Sequence, residues 1–257
     1  MKILRTIFTS AVLLFCVTAF AQNYHVTKVT RERILIDNRY VPDAEASSFL
    51  APYKHQVDSL TSPIVGYSAK YMKSHGPESE LSNLLADIMV WGGSMYNERP
   101  DIGIYNMGGI RAAMPEGKVT LGDIIDIAPF ENKICFLTLT GKQLKILFLE
   151  MMSRGGATSK GIKAIYDVVD KKLSLTSISL NGKKIKDKKK YRIATIDYLI
   201  QGNDGFREFR NASNFNIPGG DDANARNIIA AYFVDKMFKE EVVDASIEGR
   251  IIINEQK

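Results

Sequence analysis

The sequence has 257 residues, of which 45% are hydrophobic, 25% charged and 9% aromatic, with 19 glycines and 8 prolines. These values exclude a disordered chain, a collagen-like repeat and a disulfide mini-scaffold, and the length suits one large or two small cores. The formal charge of +5 is mildly basic, but it is spread very unevenly.

At the start, Lys2 and Arg5 precede an apolar run through Val17, and Ala19-Phe20-Ala21 leads into Gln22. A basic start, an apolar middle and an A-x-A end read as a secretory signal peptide over residues 1–21. The apolar run is short for a membrane span, and bulky Leu14-Phe15 before Cys16 argues against a lipid-anchored start. Cleavage after residue 21 leaves 236 residues with a charge of +3 and Cys135 as the remaining cysteine. An exported chain that folds without a disulfide fits the bacterial periplasm, with no membrane association after cleavage.

Residues 22–44 read as an N-terminal extension in which 26–36 is extended, and residues 45–257 read as one domain. Phe49, Leu50, Tyr53, Val57 and Leu60 predict an amphipathic helix over Asp43–Leu60. Leu81, Leu84, Leu85, Ile88, Met89 and Trp91 predict a second over 80–96. Ile102–Tyr105 reads as a buried strand running into the turn Asn106-Met107-Gly108-Gly109-Ile110-Arg111. A strand over 134–139 and a helix over 141–152 follow. Strands are predicted over 162–169, 173–180 and 191–196, with Asn181-Gly182 as a hairpin turn. A helix over 222–237 and a strand over 251–253 close the chain. Strands and helices mix without strict alternation, so the fold class is α+β.

Residues 171–192 hold eight lysines and Arg192 against Asp187, a local net of +8, which leaves the rest of the mature chain at −5. Such a run suits nucleic acid or a solvated hairpin tip. It lacks interleaved aromatic residues, so the hairpin tip is the expectation and no nucleic-acid partner is assigned.

His25, His55 and His75 are scattered, and no phosphate loop, dinucleotide fingerprint or nucleophile elbow occurs. Gly122-Asp123-Ile124-Ile125-Asp126 has the outline of a metallophosphatase element but lacks the histidine motifs that complete a dinuclear site. Asp123 therefore reads as a helix N-cap and Asp126 as a surface charge.

Three turns carry ligand-binding chemistry instead. Asn106 to Arg111 offers an amide, two glycines that let the backbone approach a ligand, and a forked cation. Pro129-Phe130-Glu131-Asn132 sets a ring beside an amide, and Tyr198 to Phe206 joins a ring, a glycine-rich turn and Asp204. Together they suggest two rings around a base, with a carboxylate for ribose hydroxyls.

These motifs resemble those of the 5′-nucleotidase/UDP-sugar hydrolase family, in particular its C-terminal, substrate-binding domain. The family carries N-x-G-G-[IV]-R, P-F-x-N and G-[GN]-D-G-[FY] in this order and at about this spacing. A leading L-[GS]-N-L helix (Leu81-Ser82-Asn83-Leu84) and a closing G-R-I (Gly249-Arg250-Ile251) complete the match over roughly 45–255. The resemblance implies a mixed-sheet multilayer sandwich. It also implies that Asn106, Gly108, Gly109 and Arg111 hold the nucleotide and that Phe130 and Tyr198 stack on the base. Asn132 would meet the base edge and Asp204 the ribose hydroxyls, with Gly202 as a further substrate-binding position. Gly161 would line the site by its backbone. His75-Gly76-Pro77-Glu78 lacks an Arg that the family usually places there for phosphate.

In the family the divalent metals and an Asp–His dyad reside on an N-terminal domain. About 24 residues precede the match after Gln22, so this chain is expected to bind no metal cofactor itself. It would supply the nucleotide- or nucleoside-recognition half of a split periplasmic 5′-nucleotidase, inactive alone, with a separate metallophosphatase subunit as partner. A stand-alone nucleoside-binding module and a degenerate, non-catalytic scaffold are the alternatives.

Overall fold

A computed structural model describes residues 25–169 and 172–255; the expected signal peptide lies outside the described residues. The chain divides into one unit ending at Phe49 and another running from Leu50. Residues 26–36, expected to be extended, form no strand. Their β-branched run has no neighbouring strand to pair with, and strand propensity without a ladder does not make a strand. Helix α1 covers Ala44–Thr61 and is capped by Asp43, whose Oδ1 accepts from the Ala46 N–H at 2.7 Å.

In the second unit, β1 (Ile64–Ser68) leads to α2 (Glu80–Gly92), and a 3₁₀ turn over Gly93–Tyr96 extends this helix to its expected end. Ser79 and Ser82 form a reciprocal capping box at the start of α2. The expected apolar stripe is buried through Leu81, Leu84, Leu85, Ile88 and Met89. The remaining elements are β2 (Ile102–Asn106), β3 (Gly117–Thr120), α3 (Leu121–Ile127), β4 (Ile134–Thr140), α4 (Gly141–Met151) and β5 (Gly156–Thr158). After them come β6 (Ile162–Val169), β7 (Lys172–Leu180), β8 (Lys183–Lys184), β9 (Lys190–Ile196), α5 (Asp197–Ile200), β10 (Ser213–Asn216), α6 (Ala225–Phe238) and β11 (Ile251–Glu255).

The central sheet has the order β10-β4-β9-β2-β5. In it β2 runs parallel to β9, while β4 and β5 run antiparallel to their neighbours. A second sheet has the order β11-β6-β7-β8, and β1 pairs with β3. Helix α2 packs over β2, β5 and β9, and α4 touches both β4 and β7. The architecture is a mixed-sheet α+β sandwich, as expected. Every residue of β2 is buried, and Gly103 sets how near α2 can come: a Cβ there would lie 2.1 Å from the Ala86 carbonyl oxygen.

Two expectations change in detail and a third holds. The helix expected from Asp222 begins at Ala225, because residues 221–223 form a 3₁₀ turn. Asp123 is not the N-cap of α3. Thr120 is, and the Asp123 carboxylate accepts from the Thr120 N–H and hydroxyl, both at 2.7 Å. The Asn181-Gly182 turn has positive φ at both residues, 50° and 73°, the type I′ geometry of a two-residue hairpin.

The two end markers of the sequence meet. Arg250, 3% exposed, forks onto Asp87 of α2 at 2.9 and 2.8 Å and donates to the carbonyls of Asn83 and Thr158. Glu78 accepts from the Asn83 side chain at 2.7 Å and from the Glu248 N–H at 2.9 Å. These residues form a clasp that ties the last strand to the first buried helix.

Candidate functional site

Because β2 and β9 are parallel, their carboxyl ends reach the same edge of the central sheet. The antiparallel strands β4 and β5 begin at that edge, with Ile134 opposite Ile196 and Gly156 opposite Asn106. Four connections therefore converge there: the turn after β2, the segment before β4, the loop before β5 and the turn after β9. Carboxyl ends of parallel strands are where open sheets place their binding crevices.

A cleft of about 320 Å³ opens at this edge, lined by Asn106, Gly108, Gly109, Arg111, Phe130, Asn132, Tyr198 and Asp204. All eight are among the residues singled out in the sequence, although Asn106 and Asp204 lie 98 positions apart. Phe130 is 48% exposed and Tyr198 37%, so both rings keep an accessible face.

Asp204 organises one wall. Its Oδ2 accepts from Asn106 Nδ2 at 2.6 Å and its Oδ1 from the Tyr198 hydroxyl at 3.1 Å. The hydrogen bond to Asp204, followed by desolvation, raises the Tyr198 pKa above the usual phenol value, so the ring stays protonated at neutral pH. Asp204 sits in left-handed backbone (φ 51°, ψ 22°), which an Asp tolerates better than most residues. The turn is braced further by Asn203 Nδ2, which donates to the Tyr198 carbonyl at 2.9 Å.

Asn106 itself is 3% exposed, and its Oδ1 accepts nothing from the described residues. A Cβ at Gly109 would lie 2.6 Å from that oxygen, so a larger residue here would displace the Asn106 side chain. Arg111 is held through its backbone, whose N–H donates to the Ile127 carbonyl at 2.9 Å. Among the described residues its exposed guanidinium reaches only the Gly108 carbonyl, at 3.3 Å, and remains available to an anion.

Gly161 and Gly202 do not line the cleft. Gly161 (φ 89°) sits against the hairpin turn, where a Cβ would meet Asn181 Oδ1 at 2.2 Å, and at Gly202 (φ 79°) a Cβ would lie 2.5 Å from Arg210 Nε. Both serve turn geometry. The Gly155 carbonyl accepts from the Met107 N–H at 3.4 Å and so ties the turn after β2 to the loop before β5.

Sequence reasoning also missed Arg226 of α6. It donates to the Pro129 carbonyl at 3.3 Å and to Glu131 at 2.7 Å, and so fixes the segment that carries Phe130. Nothing in its own sequence neighbourhood signals that role. The described residues contain no group of three or more His, Cys, Asp or Glu that could hold a metal ion, and Asp123 is committed to capping α3. Cys135 is buried, and burial, with Asp197 nearby, pushes its thiol up to about 12, too high for a nucleophile. No described helix is long and apolar enough to cross a membrane.

Comparison with known proteins agrees with this geometry. Residues 61–211 match the family described as 5′-nucleotidase, C-terminal domain. The trifunctional nucleotide phosphoesterase YfkN of Bacillus subtilis is 29% identical over 240 residues, covering 84% of this chain and 16% of that protein. A 5′-nucleotidase of Vibrio vulnificus is 23% identical, covering 68% of this chain and 32% of that one. Among solved structures, a 5′-nucleotidase precursor from Thermus thermophilus superposes with a TM-score of 0.69 at 20% identity, over 83% of this chain and 44% of its own. The NAD nucleotidase of Haemophilus influenzae gives 0.60 at 22%, over 84% and 42%. The chain spans less than half the length of each of these proteins. With the matched family covering more than half of its residues, the chain belongs to the 5′-nucleotidase C-terminal domain family.

Proposed function

We propose that the cleft binds a nucleoside or nucleotide, with the base between Phe130 and Tyr198, Asn132 at its edge, and ribose hydroxyls on Asp204. The observation that carries this reading is the convergence of two half-exposed rings, a braced carboxylate and a free guanidinium on one sheet edge. Arg111 then faces the phosphate. In this reading the chain orients substrate, and a separate exported polypeptide supplies the divalent metals and the hydrolytic chemistry. The shared compartment is the periplasm, reached through the expected signal peptide. Orientation of this kind lowers the barrier by removing translational and rotational freedom before reaction.

The test is calorimetric titration with adenosine and AMP. Phe130→Ala and Tyr198→Ala should each weaken binding by about 1–3 kcal/mol, the worth of one lost stack. Unchanged affinity in both variants would overturn the assignment of the cleft. Metal-dependent AMP hydrolysis by the purified chain alone would overturn the division of labour. Gentle affinity capture should recover a metallophosphatase-type polypeptide, and mixing the two should restore hydrolysis.

A further inference from the structure

The opposite end of β9 carries a different surface. Lys183, Lys184, Lys186 and Lys189 line a groove of about 360 Å³ together with Asp101, Asn181 and Tyr191, and Lys188 and Lys190 stand exposed beside it. The loop that bears these lysines is fixed. The Lys189 and Asp187 carbonyls accept from the Gly141 and Lys142 N–H groups at 2.8 and 3.1 Å, and the Tyr191 hydroxyl accepts from the Lys186 N–H at 3.1 Å. Asp187, the lone carboxylate of the run, is already paired with Lys145 at 2.7 Å. Among the described residues none of Lys183, Lys184, Lys186, Lys188, Lys189 and Lys190 has an ion-pair partner.

Solubility does not require this arrangement, because interspersed charges serve that purpose without a single-sign field. Six unpaired lysines on a tied backbone repel one another, and an extended polyanion relieves that repulsion. Nucleic acid fits poorly: the groove's aromatic ring, Tyr191, is 3% exposed and offers no face for base stacking. A single phosphate would engage only part of a surface that wraps a hairpin tip and the following loop.

We propose that this lysine surface docks the protein onto an anionic phospholipid bilayer. The seven residues of β9 separate the surface from Tyr198 by about 20 Å at ~3.3 Å per residue. Docking at the lysine end therefore turns the cleft away from the lipid and leaves it open to solvent. This inference is independent of what the cleft binds.

The test is co-sedimentation of the full chain with phosphatidylcholine vesicles and with vesicles containing one quarter phosphatidylglycerol. Reading the difference between the two cancels any apolar adsorption. Binding should require the anionic lipid and fall steeply with added salt. Lys183→Glu/Lys184→Glu/Lys186→Glu should reduce the difference at least tenfold, at roughly fivefold or more per lysine. The milder Lys→Gln triple variant should give an intermediate loss while keeping the wild-type near-ultraviolet spectrum. Equal binding to both vesicles, or an unchanged Glu triple variant, overturns the proposal. Binding to single-stranded DNA as tight as to anionic vesicles overturns the choice of lipid.

Discussion

Replacing Asp204 with Ala tests whether the cleft wall is built around one carboxylate. The change removes two acceptors, at 2.6 Å from Asn106 Nδ2 and 3.1 Å from the Tyr198 hydroxyl. The exposed tyrosine recovers its bond from water. Asn106 cannot, since it is 3% exposed and its Oδ1 already lacks a partner. Stranding a buried donor costs about 1–3 kcal/mol, and placing Ala at φ 51° adds about 1 kcal/mol of backbone strain. The expected loss is about 2–4 kcal/mol, or roughly 5–15 °C in Tm at this size. Asp204→Gly separates the two contributions by removing the strain but not the stranded donor, so it should recover about 1 kcal/mol of that loss. Asp204→Asn, which keeps an acceptor and tolerates left-handed backbone, should lose less than half as much as Ala. Urea denaturation of the three variants reads these differences. Equal stability of wild type and Asp204→Ala, or equal loss in the Ala and Asn variants, would refute the reasoning.

Other outcomes follow from the same geometry. Gly103→Ala drives a methyl toward the Ala86 carbonyl at 2.1 Å and should destabilise by about 1–3 kcal/mol or more, seen as a lower urea midpoint with adenosine affinity retained in the folded fraction. Arg226→Met frees the Pro129–Asn132 segment. Because Glu131 is 76% exposed, stability should change by less than about 1 kcal/mol, while calorimetry should show adenosine binding weakened several-fold. Glu98 has its pKa lowered, chiefly by the Arg192 hydrogen bond. A lowered carboxylate pKa adds stability that is complete above the ordinary value of 4.5 and is lost as pH falls through the folded value. Arg192→Gln should therefore flatten the acid limb of a stability profile below pH 4.5. Cys135 should resist thiol reagents at pH 8 until the protein is unfolded, as mass spectrometry would show.

The cleft residues were legible because each turn follows or precedes an apolar strand and concentrates an amide with a ring, glycines or charge within four to nine positions. Chain order does not state that three such turns share an edge, and here the resemblance supplied what spacing alone did not. The short strands β1, β3 and β5 escaped because three to five residues carry too little periodicity. Their pairing is decided by partners far away, Ile64 with Thr120 and Ala157 with Tyr105. Residues 26–36, read as extended, join no ladder among the described residues. Arg226 was invisible because its targets, Pro129 and Glu131, lie 97 and 95 positions earlier. Gly161 and Gly202 look like binding glycines in sequence, yet each answers a positive φ in its own turn.

The clasp at Arg250 has a consequence for the order in which the chain can fold. A polypeptide emerging amino terminus first presents Asp87 and α2 long before Arg250 exists to meet them. Until then Asp87 has no guanidinium to compensate its charge, and β6 lacks its parallel neighbour β11. Closure of the clasp thus waits until Arg250 and β11 have both been made, so the second unit completes its packing late in its own synthesis.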